Sequence, residues 1–77
     1  MTYEDAKKWL SKLGGKWLEA AEQVPGRGSV IVSVQSATRG FVQRHRLFDS
    51  KLTGMARDTA IRKAFLDACK ELRAALA

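Results

Sequence analysis

Between Ser29 and Phe48 the chain alternates apolar and polar residues, SVIVSVQSATRGFVQRHRLF, and breaks the alternation around Thr38-Arg39-Gly40. A period of two is the signature of strands with one buried face, so residues 29–48 predict a β-hairpin. On either side the period changes. Ala6, Trp9, Leu10 and Leu13 recur at helical spacing. Thr2 is placed to cap that helix, and Glu4 and Asp5 lie at the positive end of its dipole. Gly14-Gly15 supplies a stop or hinge. Trp17, Ala20, Ala21 and Val24 then continue almost the same apolar phase, so the chain reads as helical over 3–24, with a second short helix at 16–24. A strand at 16–22 is the alternative, and Leu-Glu-Ala-Ala-Glu-Gln is poor strand material. Pro25-Gly26-Arg27-Gly28 ends the helical part.

The last segment carries the broadest stripe: Ala60, Ile61, Ala64, Phe65, Ala68, Leu72, Ala75 and Leu76. It predicts a helix over about 55–76, about 33 Å long and able to span the hairpin, with Thr53 or Asp58 as its start.

The hairpin's register follows from burial. With Ser36 opposite Phe41, Val30, Val32 and Val34 share a face with Phe41, Gln43, His45 and Leu47, and His45 lies opposite Val32. Ile31, Ser33 and Gln35 then share the other face with Val42, Arg44, Arg46 and Phe48. A slip by one residue sets Arg44 and Arg46 beside the valines, which is costly if that face is dry. The loop is therefore expected to be even-numbered, either Thr38-Arg39 or Ala37–Gly40. Two strands need helices on their apolar face to be stable. The predicted fold is a small α+β domain spanning 1–77, helix–(helix)–β-hairpin–helix, with a two-stranded antiparallel sheet and helices on one face.

Charge adds the functional clue. The net charge is +6. Residues 1–24 are neutral, 53–77 carry +2, and 25–52 carry +4 from Arg27, Arg39, Arg44, Arg46 and Lys51 against Asp49 alone. Such an excess favours anionic partners. The chain lacks an apolar run long enough to span a membrane, and its acidic, amphipathic start is unlike a signal peptide. One cysteine, Cys69, excludes an intrachain disulfide and suits the cytoplasm; beside the last helix's stripe it reads as a small buried hydrophobe.

Catalytic patterns are missing. Gly26-Arg27-Gly28 precedes a strand instead of following one, His45 is the lone general base near neutral pH, and one Cys with one His does not make a structural zinc site. The expectation is a non-enzyme without cofactor or metal. His45 reads as half-buried on the valine face, and Trp9 and Trp17 as anchors of the N-terminal part on the sheet.

A helix, then strands, then an alanine-rich helix resembles a double-stranded-RNA-binding domain, with Ala60, Ala64 and Ala68 echoing its final helix. That family's third strand has no counterpart in this reading, and Arg57-Asp58 stands where a basic pair is expected. Separately, Phe48-Asp49-Ser50 ahead of Ala60–Ala68 is similar to the hairpin and helix of AP2-like DNA-binding domains, over about the last half of the chain and with Lys51–Asp58 as additional residues. Neither resemblance assigns a role to an individual residue.

The function expected is a small basic nucleic-acid-binding module that presents Arg44 and Arg46, helped by Arg27, Arg39 and Lys51, to DNA or RNA. The alternative is a protein-interaction regulator or inhibitor docking its basic and apolar sheet face, which would also carry Ile31, Val42 and Phe48, on an acidic protein partner. A homodimer through the sheet edge is a further expectation.

Overall fold

The computed structural model describes residues 1–77, with every side chain except those of Ala21 and Gln23. Five elements follow in order: α1 (Tyr3–Lys12), β1 (Lys16–Val24), β2 (Arg27–Ser36), β3 (Gly40–Asp49) and α2 (Gly54–Leu76). The α+β class is as expected, but the antiparallel sheet has three strands, in the order β1-β2-β3. Among the described residues no helix is long and apolar enough to cross a membrane.

α1 begins with a reciprocal cap: the Asp5 amide donates to Thr2 Oγ1 (3.1 Å) and the Thr2 amide donates to Asp5 Oδ2 (3.2 Å). It ends where Gly14 N–H donates to Ser11 O and Gly15 N–H to Leu10 O, the paired bonds of a Schellman stop.

The segment 16–24 is a strand and not the expected second helix. Trp17 pairs with Val32, Leu18 with Ile31 and Glu19 with Val30. The helix preference of Glu-Ala-Ala-Glu is a few tenths of a kcal/mol per residue, and pairing along the open side of β2 outweighs it. Pro25-Gly26 is the connecting turn, and the register shifts between Ala20 and Val24 where the strand approaches it.

The β2–β3 register is also corrected. Ser36 lies opposite Gly40, Val34 opposite Val42, Val32 opposite Arg44 and Val30 opposite Arg46. The loop therefore holds three residues, Ala37-Thr38-Arg39, not an even number. Two local features select it. Gly40 takes φ +71°, the left-handed position that closes a three-residue hairpin, and Ser36 Oγ accepts from the amides of Thr38 (3.3 Å) and Arg39 (3.2 Å). Val42, Arg44, Arg46 and Phe48 thus share the valine face, while Phe41, Gln43, His45 and Leu47 join Ile31 on the other.

Both helices cover the valine face. Ala6 and Leu10 of α1, Val30, Val32 and Val34 of β2, Phe48 of β3, and Ala64, Phe65, Ala68, Cys69 and Leu72 of α2 form one core. Phe65 is its hub: Tyr3 meets it edge-on at 5.5 Å and Trp17 at 5.1 Å between ring centroids. Trp9 packs half-buried against the core, and Trp17 does so with 44% of its surface exposed. Phe48 lies directly over Gly28, where an added Cβ would stand 2.6 Å from its Cζ.

Removing Phe65 opens the core at its hub, so Phe65→Ala is expected to cost about 3–5 kcal/mol. A domain of 77 residues holds about 4–12 kcal/mol in total, so urea titration should find this variant's midpoint lowered by about a quarter or more of the wild-type value. Gly28→Ala should lower stability by about 1–3 kcal/mol through overpacking against Phe48. A wild-type midpoint for Gly28→Ala would contradict the close approach.

Candidate nucleic-acid interface

Arg44 and Arg46 stand two residues apart on β3, so their Cα atoms are about 7 Å apart and their side chains leave the same face. That face is the one bearing the helices. The arrangement avoids the cost expected of buried arginines because β3 is an edge strand and α2 does not seal its middle. Val42 and Phe48 close the two ends of β3 against the core, while Arg44 and Arg46 remain exposed. Arg46 reaches Glu71 of α2, and both guanidinium groups reach water, a placement long cationic side chains tolerate well.

α2 supplies the other half of the ridge. Arg46 pairs with Glu71, both side chains being over 40% exposed. Lys63 Nζ donates to Asp67 Oδ2 (2.8 Å) across one helical turn. The Lys63 hydrogen bond holds the Asp67 carboxyl below the usual range, with Lys63, Arg46 and Lys70 adding attraction. Three cations, Arg46, Lys63 and Lys70, therefore gather with two carboxylates, Asp67 and Glu71, and Arg44 stands two residues from Arg46 on the same face of β3. A groove of about 300 Å³ between β3 and α2 runs past Arg46, Lys63 and Asp67. Arg44 makes no ion pair among the described residues; its Nη1 bonds only the adjacent Gln43 carbonyl (2.7 Å).

The five cations expected to act together are not brought together. Arg39 is at the β2–β3 turn, where Nη2 donates to Ala77 O (3.0 Å) at the end of α2. Arg27 lies opposite Asp49 at the other end of the hairpin, and Lys51 follows in the loop, its amide donating to Asp49 Oδ1 (2.9 Å). About 20 Å of strand separates the turn from Arg46. Lys63 and Lys70 were not anticipated as site residues; their signal is the spacing of seven, which sets both on one helix face.

Comparison with known protein families, with curated proteins and with solved structures yields no match.

The other groups considered from the sequence settle as follows. His45 is exposed on the open sheet face opposite Ile31, not half-buried opposite Val32. Cys69 is fully buried, and burial pushes its thiol up to about 11. No three His, Cys, Asp or Glu side chains among the described residues gather as a metal site. Arg57 pairs with Glu19 and lies 5.9 Å from the Phe48 ring centroid, which ties α2 to β1 and leaves it outside the ridge.

A second link holds the loop after β3. Ser50 Oγ donates to Glu22 Oε2 (2.6 Å) and the Ser50 amide donates to Gly26 O (3.1 Å). The Ser50 hydroxyl, helped by the Gly26 amide, keeps the Glu22 carboxyl below its ordinary range. A depressed carboxyl stabilises the fold above its unfolded value, and that contribution disappears as pH falls through the folded value. Carboxyl-carbon NMR titration should find Glu22 titrating below the ordinary glutamate range, and Ser50→Ala should move it back up. An unchanged Glu22 midpoint in Ser50→Ala would remove the hydroxyl as the cause.

Proposed function

We propose that this protein is a small basic nucleic-acid-binding module whose contact surface is the ridge formed by β3 and α2. The observation that carries the reading is the pair Arg44 and Arg46, projecting together beside Lys63 and Lys70, with Arg44 free of any acidic partner. Guanidinium groups suit phosphates because they donate two parallel hydrogen bonds and stay charged. Neutralising several phosphates supplies affinity through counterion release, without a deep pocket or catalytic group. A three-stranded sheet is in keeping with the resemblance to a double-stranded-RNA-binding domain, while Arg57-Asp58 still departs from its basic pair.

A second reading rests on the same ridge: docking on an acidic protein, in the manner of a small regulator. Carboxylates and phosphates both satisfy Arg44 and Arg46, and the two readings part on salt dependence and on copurifying nucleic acid. Neither reading involves catalysis or a cofactor.

Fluorescence anisotropy with short duplex RNA and duplex DNA, repeated across salt concentrations, tests the primary reading. The logarithm of affinity should fall steeply with the logarithm of salt, and Arg44→Ala should lower the slope by about one. Glu71→Gln should strengthen binding by freeing Arg46, in the direction opposite to Arg46→Ala. A flat salt dependence, or an Arg44→Ala/Arg46→Ala double variant that binds like wild type, would sink the proposal.

A further inference from the structure

Both helices lie on one side of the sheet, and nothing lies on the other. An antiparallel sheet with one wet face normally turns polar residues to water. Here the wet face carries Leu18 (56% exposed), Phe41 (64%) and Leu47 (50%), with Ile31 at its centre on β2. In a chain of net charge +6 this face is nearly uncharged. Lys16 sits toward one end, and Arg27 faces Asp49 across the strands at the other. Exposed apolar patches rimmed by polar residues mark interaction sites.

We propose that this face packs against the same face of a second copy, giving a two-fold dimer layered helix, sheet, sheet, helix. Charge distribution favours that occupant. Face-to-face packing leaves the cations of β3 and α2 in water on the outer side of each copy, where salt weakens their mutual repulsion. The face itself brings little charge into the interface. A nucleic acid meets the reverse situation, since Lys16 toward one end and Arg27, already facing Asp49, at the other are the lysine and arginine groups this face offers its phosphates. Symmetry is also served: Leu18 pairs with Ile31, His45 faces Ile31 from β3, and Leu47 lies diagonal to Ile31 opposite Ser29, so the apolar groups form an oblique row across the sheet that a two-fold axis near Ile31 sets against its own copy.

Area sets the strength. Three strands about 4.8 Å apart and nine residues long give an outline of about 450 Å² per copy. Two copies then bury about 1,000 Å² once side-chain relief is counted, the lower bound for a specific interface. The dimer is accordingly weak and reversible.

Sedimentation of the full chain without nucleic acid, from ~5 to ~500 µM, measures this apart from the nucleic-acid reading. The mean mass should climb from one copy toward two. The double variant Leu18→Glu/Leu47→Glu should weaken association roughly tenfold or more by forcing charge into the interface, while keeping a native circular dichroism spectrum because both positions are half exposed. Phe41→Asp gives an independent check should the double variant misfold. Lys70→Glu, on the helix side, should dimerise like wild type. A wild type that stays single throughout would overturn the proposal. So would a dimer indifferent to the double variant and Phe41→Asp but lost in Gln43→Pro, which would place pairing at the strand edge.

Discussion

The three-residue loop between β2 and β3 decides which surfaces this protein owns. With Gly40 left-handed and Ser36 capping the turn, Val30 must face Arg46 and Val32 must face Arg44. A loop one residue shorter or longer moves every β3 side chain to the opposite face. Arg44 and Arg46 would leave α2, Glu71 would lose its partner, and Phe41 and Leu47 would crowd the core. Everything functional proposed for the molecule, cations on the helix side and an apolar open face, depends on that count.

α2 is the second constraint, because it is held at several points along its length. Arg57 reaches Glu19 on β1 near its start, Arg46 of β3 reaches Glu71, and Arg39 of the turn reaches the Ala77 carbonyl at its end. Exposed pairs of this kind are each worth only about 0–1 kcal/mol. Phe65, Ala68 and Leu72 inserted beneath the helix carry the stability, and the polar links fix how it lies on the sheet. That orientation leaves the middle of β3 open, and it is why two arginines can occupy a nominally inner face.

Local signals were legible in the sequence and long-range ones were not. The Thr2 cap, the Gly14-Gly15 stop, the apolar stripe of the last helix, the buried valines and buried Cys69 all depend on neighbours within a few residues. β1 was read as helix because its Ala and Glu residues favour one locally, while its pairing with β2 is a contact across the fold. Pro25-Gly26 is a two-residue connection between two runs, and that is the signal for the missing strand. The register was misjudged for a related reason: the cost assigned to Arg44 and Arg46 presumed a dry face, and dryness depends on where α2 lies. Of the candidate cations, Arg44 and Arg46 stand together on β3, Arg27, Arg39 and Lys51 fall toward the ends of the hairpin, and Lys63 and Lys70 of α2 lie near Asp67 beside Arg46.

The Arg46–Glu71 pair bears on whether the ridge can receive an anion at all. An arginine already matched to a carboxylate would be a poor site if the pair were buried, because separating buried partners costs about 3–5 kcal/mol. Here both side chains are over 40% exposed, so water takes over the abandoned carboxylate. The loss is then about 0–1 kcal/mol, against about 1.5–3 kcal/mol for a hydrogen bond to a charged group. Glu71 therefore holds Arg46 in position without locking it. In the proposed complex Arg44, which has no carboxylate partner among the described residues, would meet the anion at no such cost, and Arg46 would follow where the ligand brings a second phosphate about one strand repeat away.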